Sequence, residues 1–523
     1  MAVTPDVRKR PDRTRRLLVL ALPTAVASVF ALWRLGELPF WRDEVATIVS
    51  CNRSLAGTLA VLWHREANMT LYYLFMNGWL RLGHGELWAR LPSAVFGIAA
   101  VPITVLLARR AFDDSLAVIA GLLLATNSLL MWYAHQARSY ALVVLLAALS
   151  GLLLVRAVDR GGSARWAGFV AAATAMVYCQ SLAVLVVLAQ VGSLLVLWPS
   201  LGRTRRTVGW SAAAWALLVS PAVAYAVLAG HGQIDWLKRP DWPALVQTAG
   251  AFFNSPVLGA GLGLLIVVVA VQTVALARQE GRSRAVWLRG FVLAWAGAPP
   301  AVTFVASQVR PVFLDRFLIG ALPAALIAAA LGITALRKRA VVAVVTGAIV
   351  LYGGFGLVTQ SRPAWLHGPG HGPQKEDLRA GAAFVARHQL PGDALAYRSA
   401  EERLGFAYYY RRAAGPRPLP DLGLAGGARP DAILDIYPPD SPPGEVRARA
   451  RMHRRVWLVG SREIPTCCHR TAAGARLVYA EFAKRTHFRV GDVWVVLLQG
   501  NDATPLPQGR LSARPATRRG RPR

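Results

Sequence analysis

"LLVLALPTAVASVFALWRLGELPFWRDEVATIVSC", residues 17–51, joins two textures. From Leu17 to Trp33 it is apolar; further on, Arg42, Asp43 and Glu44 stand side by side. The apolar half approaches the roughly 20 residues a helix needs to cross about 30 Å of hydrocarbon. Carboxylates just beyond such a helix are costly unless they are paired or used. The stretch therefore reads as a membrane helix that delivers an acid pair to the interface. The whole chain agrees: 54% of its 523 residues are hydrophobic and only 17% charged, and mean hydropathy is +0.38. Soluble domains carry about 25% charged residues. The net charge of +31 is what a nucleic-acid binder shows, but most of the arginines flank apolar runs, where membrane topology explains them and no nucleic-acid partner is implied.

Apolar runs recur near 17–35, 88–108, 115–133, 139–156, 166–180, 181–198, 208–229, 257–277, 286–306, 317–336 and 340–358. The stretch 166–198 is too long for one span, and Tyr178, Cys179, Gln180 and Ser181 supply a polar break. Cytoplasmic loops of membrane proteins are enriched in Lys and Arg. With the basic N-terminus inside, every second loop is basic: Arg109-Arg110; Arg156, Arg160 and Arg165; Arg203, Arg205 and Arg206; Arg278, Arg282 and Arg284; Arg337-Lys338-Arg339. The expectation is about eleven helices with "WRDE" and everything beyond residue 359 on the outer face. A cleaved signal peptide is the alternative for the N-terminus; the further apolar runs favour an uncleaved first helix.

In the loop 36–87, "TLYYLFMNGWLRL" has the apolar pattern of a short surface helix. After Gln360, Pro, Gly and charge rise. "KEDLRAGAAFVARHQ" reads as an amphipathic helix, and "DALAYR", "DAILDIY" and "RVWLVG" as short strands. "HFRVGDVWVVLLQ" reads as a closing hairpin. Alternating strands and helices predict a small α/β layer around a parallel sheet. "GLAGGARP" lacks the strand–glycine–helix context of a nucleotide site. The tail "RLSARPATRRGRPR" has a disordered composition. The expected division is a basic cytoplasmic N-terminus at 1–16, a transmembrane domain at 17–358, an extracytoplasmic α/β domain at 359–500 and a tail at 501–523. Four cysteines, Cys51, Cys179, Cys467 and Cys468, make no disulfide framework.

Eight acids before residue 359 fall on the outer side: Glu37, Asp43, Glu44, Glu66, Glu86, Asp235, Asp241 and Asp315. Phe40 and Trp41 read as interface anchors for the acid pair, and a salt bridge from Asp43 or Glu44 to Arg42 is the plain structural alternative to a catalytic role. "WYAHQARSY" (132–140) adds His135, Gln136, Arg138 and Tyr140. "SQVRPVFLDRF" (307–317) adds Arg310, Asp315 and Arg316. "HGQIDWLKRPDW" (231–242) adds His231, Gln233, Trp236, Lys238 and Arg239. For His135 packing or a hydrogen bond is expected, and for Lys238 and Arg239 snorkelling to headgroups. Arginine suits phosphate through bidentate, permanently charged hydrogen bonds, and a lipid-linked phosphate lies at this depth.

"WRDE", then "HREANMTLYYLFMNGWLRLGHGELWARLPSAVFGIAAVPITVLLARRAF" (64–112), then "HQARSYALVVLLAALS" (135–150) resemble the bacterial family 39 glycosyltransferases. These are relatives of the protein O-mannosyltransferases and of the lipid A aminoarabinose transferase, all of the GT-C fold. The likeness covers roughly residues 17–160 and, more weakly, "RPVFLDRF". The chain departs where many relatives read "HPPLYY", with His64 in the matching place, and where they read "RY" against Arg316-Phe317. The resemblance implies a mainly α, polytopic GT-C fold that moves a sugar, most commonly mannose or a related hexose, from a polyprenyl-phosphate donor. The acceptor is a lipid, glycan or protein hydroxyl outside the cytoplasm. It implies Asp43 as general base and Glu44 orienting it, contacting the acceptor or helping to bind a possible divalent metal ion. Arg138 and Arg316 would hold the donor phosphate, while His64 and Tyr140 position sugar or phosphate. A phosphate leaving group needs positive charge rather than a paired acid, and in-line attack inverts the anomeric centre. High Ala, Arg and Gly content points to the plasma membrane of a bacterium. A transporter or flippase of lipid-linked molecules is the competing class; no internal repeat of the kind many transporters show is present. A non-catalytic envelope scaffold is the other, and it predicts that Asp43→Asn changes nothing.

Overall fold

The computed structural model describes residues 13–202, 204–228, 237–359, 377–416, 418–425, 440–461, 469–490 and 493–500. The chain forms two compact units interleaved in sequence. One gathers Met1–Leu35, Ala67–Tyr72 and Arg90–Gly372; the other gathers Gly36–Glu66, Tyr73–Ala89 and Pro373–Arg523.

The first unit is helical, and each of the eleven apolar runs falls on helix. Among the described residues six helices are long and apolar enough to cross a membrane: Glu86–Ala111, Tyr140–Arg160, Thr204–Leu228, Pro256–Glu280, Arg284–Ala306 and Arg339–Thr359. A seventh run is a pair, Asp114–Ala125 and Ser128–Ala134, bent by 55°. The other four fall on Arg13–Leu32, Ser163–Cys179, Ser181–Val196 and Ile319–Thr334. The polar break at Gln180 is real: this residue is extended (φ −165°, ψ 112°) and stops the helix before it.

Burial sorts these helices as a bilayer would. Leu322–Thr334 is buried over nearly its whole length. Around it Trp295 donates its indole N–H to Gly320 O at 2.9 Å, and Trp287 to Ser193 Oγ at 3.1 Å. Thr204–Leu228, Pro256–Glu280 and Arg339–Thr359 expose apolar side chains such as Leu217, Val257, Leu264, Val344 and Leu351. In water that surface would be a liability; in lipid it is the solvated face.

The bend at residues 126–127 is held by Asn254, in the left-handed region at φ 68°. Its Oδ1 accepts from Ser128 N and Ser128 Oγ, both at 2.8 Å, and its Nδ2 donates to Thr126 O at 3.1 Å. A broken helix in lipid needs such partners for its freed backbone groups. Gly353 makes room: a Cβ there would lie 2.5 Å from Thr126 O. At one end of this unit Arg110, Asp159 and Arg284 cluster, with Arg110 Nη2–Asp159 and Arg284 Nε–Asp159 both at 2.8 Å. These residues come from three loops that the charge pattern assigns to one side.

The second unit joins the first loop to the C-terminal module. Its sheet has strands β1 (Ala394–Tyr397), β2 (Arg455–Ser461), β3 (Lys484–Val490) and β4 (Val493–Gln499). Their order is β1-β2-β4-β3. Only β1 and β2 are parallel; β4 runs antiparallel to both neighbours. The sheet is thus mixed: β1 and β2 form the parallel pair, and the expected closing hairpin supplies the antiparallel strands. The terminal hairpin inserts β4 beside β2, and a hairpin is antiparallel by construction. "DAILDIY" and the Gly491-Asp492 turn lie outside the described residues, as do Cys467, Cys468 and the 501–523 tail. Alternate strand residues point to opposite faces. Ala394, Ala396, Val456, Leu458, Val496 and Leu498 pack with Val446, Ala475 and Val478. On the other face Trp457 meets Phe384 of helix Leu378–His388, and Tyr397 meets Phe406 of helix Ala400–Ala413.

Within the loop, the expected surface helix is Thr70–Trp79, ten residues and too short to span a bilayer. Trp79 and Trp88 stack at 4.3 Å, each indole N–H donating to the other's carbonyl.

Candidate functional site

Asp43 and Glu44 occupy the first turn of helix Arg42–Cys51, where carboxylates oppose the positive end of the helix dipole. They are not equivalent. Glu44, 1% exposed, reaches back so that its Oε2 accepts from Trp41 N at 3.3 Å. That is the carboxylate half of a capping box. Asp43 is half-buried, and its carbonyl accepts from Thr47 Oγ1 at 3.1 Å.

The segment before this helix is clamped by the module that follows residue 376. Phe40 is buried, its ring against Tyr408 and Tyr409. It packs in protein rather than anchoring the segment in lipid, as the sequence suggested, because two tyrosine rings offer a closer apolar surface. Phe40 N–H donates to Tyr409 Oη at 2.6 Å, and Tyr409 Oη–H donates to Glu86 Oε1 at 3.0 Å. Burial pushes the Tyr409 phenol well above its usual pKa, against the pull of the Phe40 N–H and with the help of the Glu86 charge. Arg379 adds bonds to Glu86 Oε1 (3.3 Å) and Glu37 O (2.8 Å). Arg42, for which a bridge to Asp43 or Glu44 was the structural alternative, pairs with Glu401.

The structure also brings the His64 turn to the Asp43 helix. Thr47 Oγ1 lies 3.4 Å from Tyr73 Oη, which donates to Glu66 Oε2 at 3.3 Å. Glu66 closes the π-helical turn Leu62–Glu66 that carries His64, a distortion frequent at functional sites. His64 is exposed, its Nδ1 2.8 Å from Ala60 O.

In the first unit Arg138 sits in the corner between helices Ser128–Ala134 and Tyr140–Arg160, 7% exposed, its guanidinium 5.9 Å from the Tyr140 ring. Ser93 Oγ donates to Arg138 O at 3.1 Å and lies 3.0 Å from Tyr72 Oη. The Tyr72 backbone hydrogen-bonds to the thiol of Cys179. Beside Cys179, Gln180 Nε2 donates to Arg316 O at 3.0 Å. Hydrogen bonds thus tie the Arg138 corner to Ser93 and Tyr72, and Gln180 to the Arg316 turn. Tyr140 is buried, its ring 4.5 Å from Tyr133, so packing accounts for much of its role. His135 Nε2 donates to Phe30 O and Ala31 O, each at 3.0 Å, as the packing reading expected. Lys238, Arg239 and Arg310 are exposed, and Asp241 caps helix Trp242–Phe252 through Ala244 N. His231, Gln233, Asp235 and Trp236 lie outside the described residues.

Among the described residues no three His, Cys, Asp or Glu side chains converge to hold a metal ion.

The family model described as dolichyl-phosphate-mannose-protein mannosyltransferase matches residues 69–225. The fold is that of ArnT from Cupriavidus metallidurans. Its apo structure aligns over 93% of this chain and 98% of ArnT, at 15% identity and TM-score 0.53. ArnT bound to undecaprenyl phosphate aligns over 94% and 99%, at 15% identity and TM-score 0.54. Over residues 69–225 the chain is thus similar to that mannosyltransferase family, and its fold is the GT-C fold of a membrane glycosyltransferase. No curated protein sequence matches it. The matched segment holds Ser93, the Gln136–Tyr140 corner and Gln180, and ends short of Asp315 and Arg316. Sequence reasoning missed Tyr409, Glu401 and Arg379, whose partners lie more than 290 positions away. It also missed the capping role of Glu44, because Trp41 lacks the hydroxyl that marks a capping box in sequence.

Proposed function

We propose that the protein transfers a sugar, mannose or a related hexose, from a polyprenyl-phosphate donor to a hydroxyl of a lipid, glycan or protein, with inversion. The site lies on the extracytoplasmic side of a bacterial plasma membrane, and the termini are oriented as the arginine pattern indicates. The observation that carries the chemical assignment is the division of labour within the acid pair. Glu44 is buried and spent on the helix cap; Asp43, one residue earlier, keeps solvent access on a turn clamped through Phe40 and Arg42. Asp43, half-buried rather than buried, is the carboxylate assigned to take the proton from an attacking hydroxyl, and a positioned base contributes typically 10²–10⁴-fold. The departing phosphate is an anion that leaves without protonation. It requires cationic stabilisation, the role of Arg138 and Arg316. His64 and Tyr140 are assigned to positioning the sugar or the phosphate. ArnT, which shares the fold, has been captured with undecaprenyl phosphate, and that supports a donor of this class here.

The test is transfer from labelled polyprenyl-phosphate mannose to cell-envelope acceptors by the purified protein. Asp43→Asn should lower turnover by about 10²–10⁴-fold with an unchanged elution profile. Undiminished transfer by that variant removes Asp43 as the base.

A further inference from the structure

The corner between helices Ser128–Ala134 and Tyr140–Arg160 contains two buried polar side chains with nothing to bond. Gln136 is 2% exposed, and neither its Nε2 nor its Oε1 has a partner; Ser139 is fully buried, and its Oγ has none. Buried amides and hydroxyls in folded proteins are almost always satisfied, so each exception calls for an account. Ser139 sharpens it. Serine is a favoured N-cap because, in extended backbone, its oxygen accepts from the N–H groups of the first turn. Here Ser139 occupies the N-cap of the 21-residue helix Tyr140–Arg160, yet its backbone is helical (φ −70°, ψ −13°) and it makes no cap bond. The backbone is bent away from capping. The tight link from Arg138 N to Gln136 O at 2.7 Å and the Ser93 bond to Arg138 O fix the turn in that shape. Val143 N is the first to find an acceptor, Ser139 O. The N–H groups ahead of it have no carbonyl within the helix, and such a terminus favours an anion.

We infer that this corner is a cradle for a phosphoryl group. Ser139 Oγ–H and Gln136 Nε2–H donate to its oxygens beside the Tyr140–Arg160 helix terminus, and the Arg138 guanidinium supplies charge. The inference rests on the donor chemistry proposed above and adds two neutral positioning groups to it. The same chemistry serves a polyprenyl-phosphate headgroup or free phosphate.

A group with no partner in the protein is not needed for folding, so its removal separates binding from stability. Full-length Ser139→Ala and Gln136→Met are purified in detergent beside wild type and Arg138→Gln. Thermal stability and affinity for undecaprenyl phosphate and for inorganic phosphate are then measured. Both cradle variants are expected to be at least as heat-stable as wild type without ligand, because an unpaired polar group has been deleted. Their affinity for phosphate-bearing ligand should fall about 10–100-fold, as for a hydrogen bond to a charged group. Protection by inorganic phosphate shows that the phosphoryl group alone is read; protection only by undecaprenyl phosphate assigns the cradle to the lipid headgroup. An affinity loss below about 5-fold, the scale of one neutral hydrogen bond, overturns the cradle. So does failure of both variants to fold. If Arg138→Gln abolishes binding while the cradle variants keep it, the cradle falls and the donor reading stands. If wild type binds neither ligand, both fall.

Discussion

Replacing Tyr409 by Phe deletes one oxygen and leaves the ring. That oxygen accepts from Phe40 N at 2.6 Å and donates to Glu86 at 3.0 Å. Phe40 is 1% exposed, so its N–H is left buried without an acceptor, a loss of about 1–3 kcal/mol. The bond to a carboxylate adds about 1.5–3 kcal/mol. The two share one atom and are not additive, and Glu86 keeps Arg379, so about 2–4 kcal/mol is expected. The loss falls on fastening the segment before Asp43, so the local opening equilibrium is what moves. At about 1.4 kcal/mol per decade, amide hydrogen exchange across residues 39–51 should accelerate roughly 30- to 800-fold. Exchange in strands β2 and β4 should stay unchanged. The assay is exchange with mass spectrometry on peptides from both regions, with turnover measured in parallel. Transfer should slow while donor affinity holds, because Asp43 is displaced rather than removed. Exchange in 39–51 within 3-fold of wild type would refute the clamp, whatever happens to activity.

The same variant tests a pH dependence. The folded Tyr409 phenol is held above its usual pKa near 10, so the folded state keeps a proton that the unfolded chain loses. Stability is full below pH 10 and declines as pH rises beyond it. Tyr409→Phe should flatten that alkaline limb in a thermal melt; an unaltered slope counts against the buried phenol. Glu401→Gln removes the negative charge paired with the mostly buried Arg42 (side chains 17% and 18% exposed) and should cost about 1.5–3 kcal/mol, with Arg42→Gln/Glu401→Gln together costing less than the sum of the singles. Additive losses in that cycle would mean the pair is not coupled. Asn254→Ala frees Ser128 N–H, Ser128 O–H and Thr126 O at once. It should destabilise the protein by about 3–5 kcal/mol, lowering the melting point and the yield of monodisperse protein more than any single surface change; a wild-type melt would show that the bend does not depend on it. Gly353→Ala places a methyl 2.5 Å from Thr126 O and should cost about 1–3 kcal/mol, read in the same melt.

Much of the first unit was legible because its signals are local. Runs of apolar residues near bilayer length and alternating arginine blocks each follow from a few neighbouring positions. Even the stop at Gln180 showed as four polar-leaning residues in a greasy stretch. The acid pair was visible too, but its asymmetry was not, because capping depends on backbone angles around Trp41. The mixed sheet was hidden because strand order is a long-range matter: the hairpin was readable, its insertion beside β2 was not. The clamp was wholly hidden. Phe40 and Tyr409 are 369 positions apart, and no periodicity links them. Gln136 and Ser139 were readable only as ordinary corner residues until the lack of partners around them was seen.

That separation of 369 positions has a consequence for biogenesis. At roughly 5–20 residues per second, a ribosome that has made Phe40 needs about 20–70 s more to reach Tyr409. During that interval the helices between them enter the bilayer while the acid-bearing segment waits without its fastening. The growing polypeptide thus acquires a secured Asp43 only after its transmembrane body has been laid down, a timing written into the order of the gene rather than imposed by any regulator.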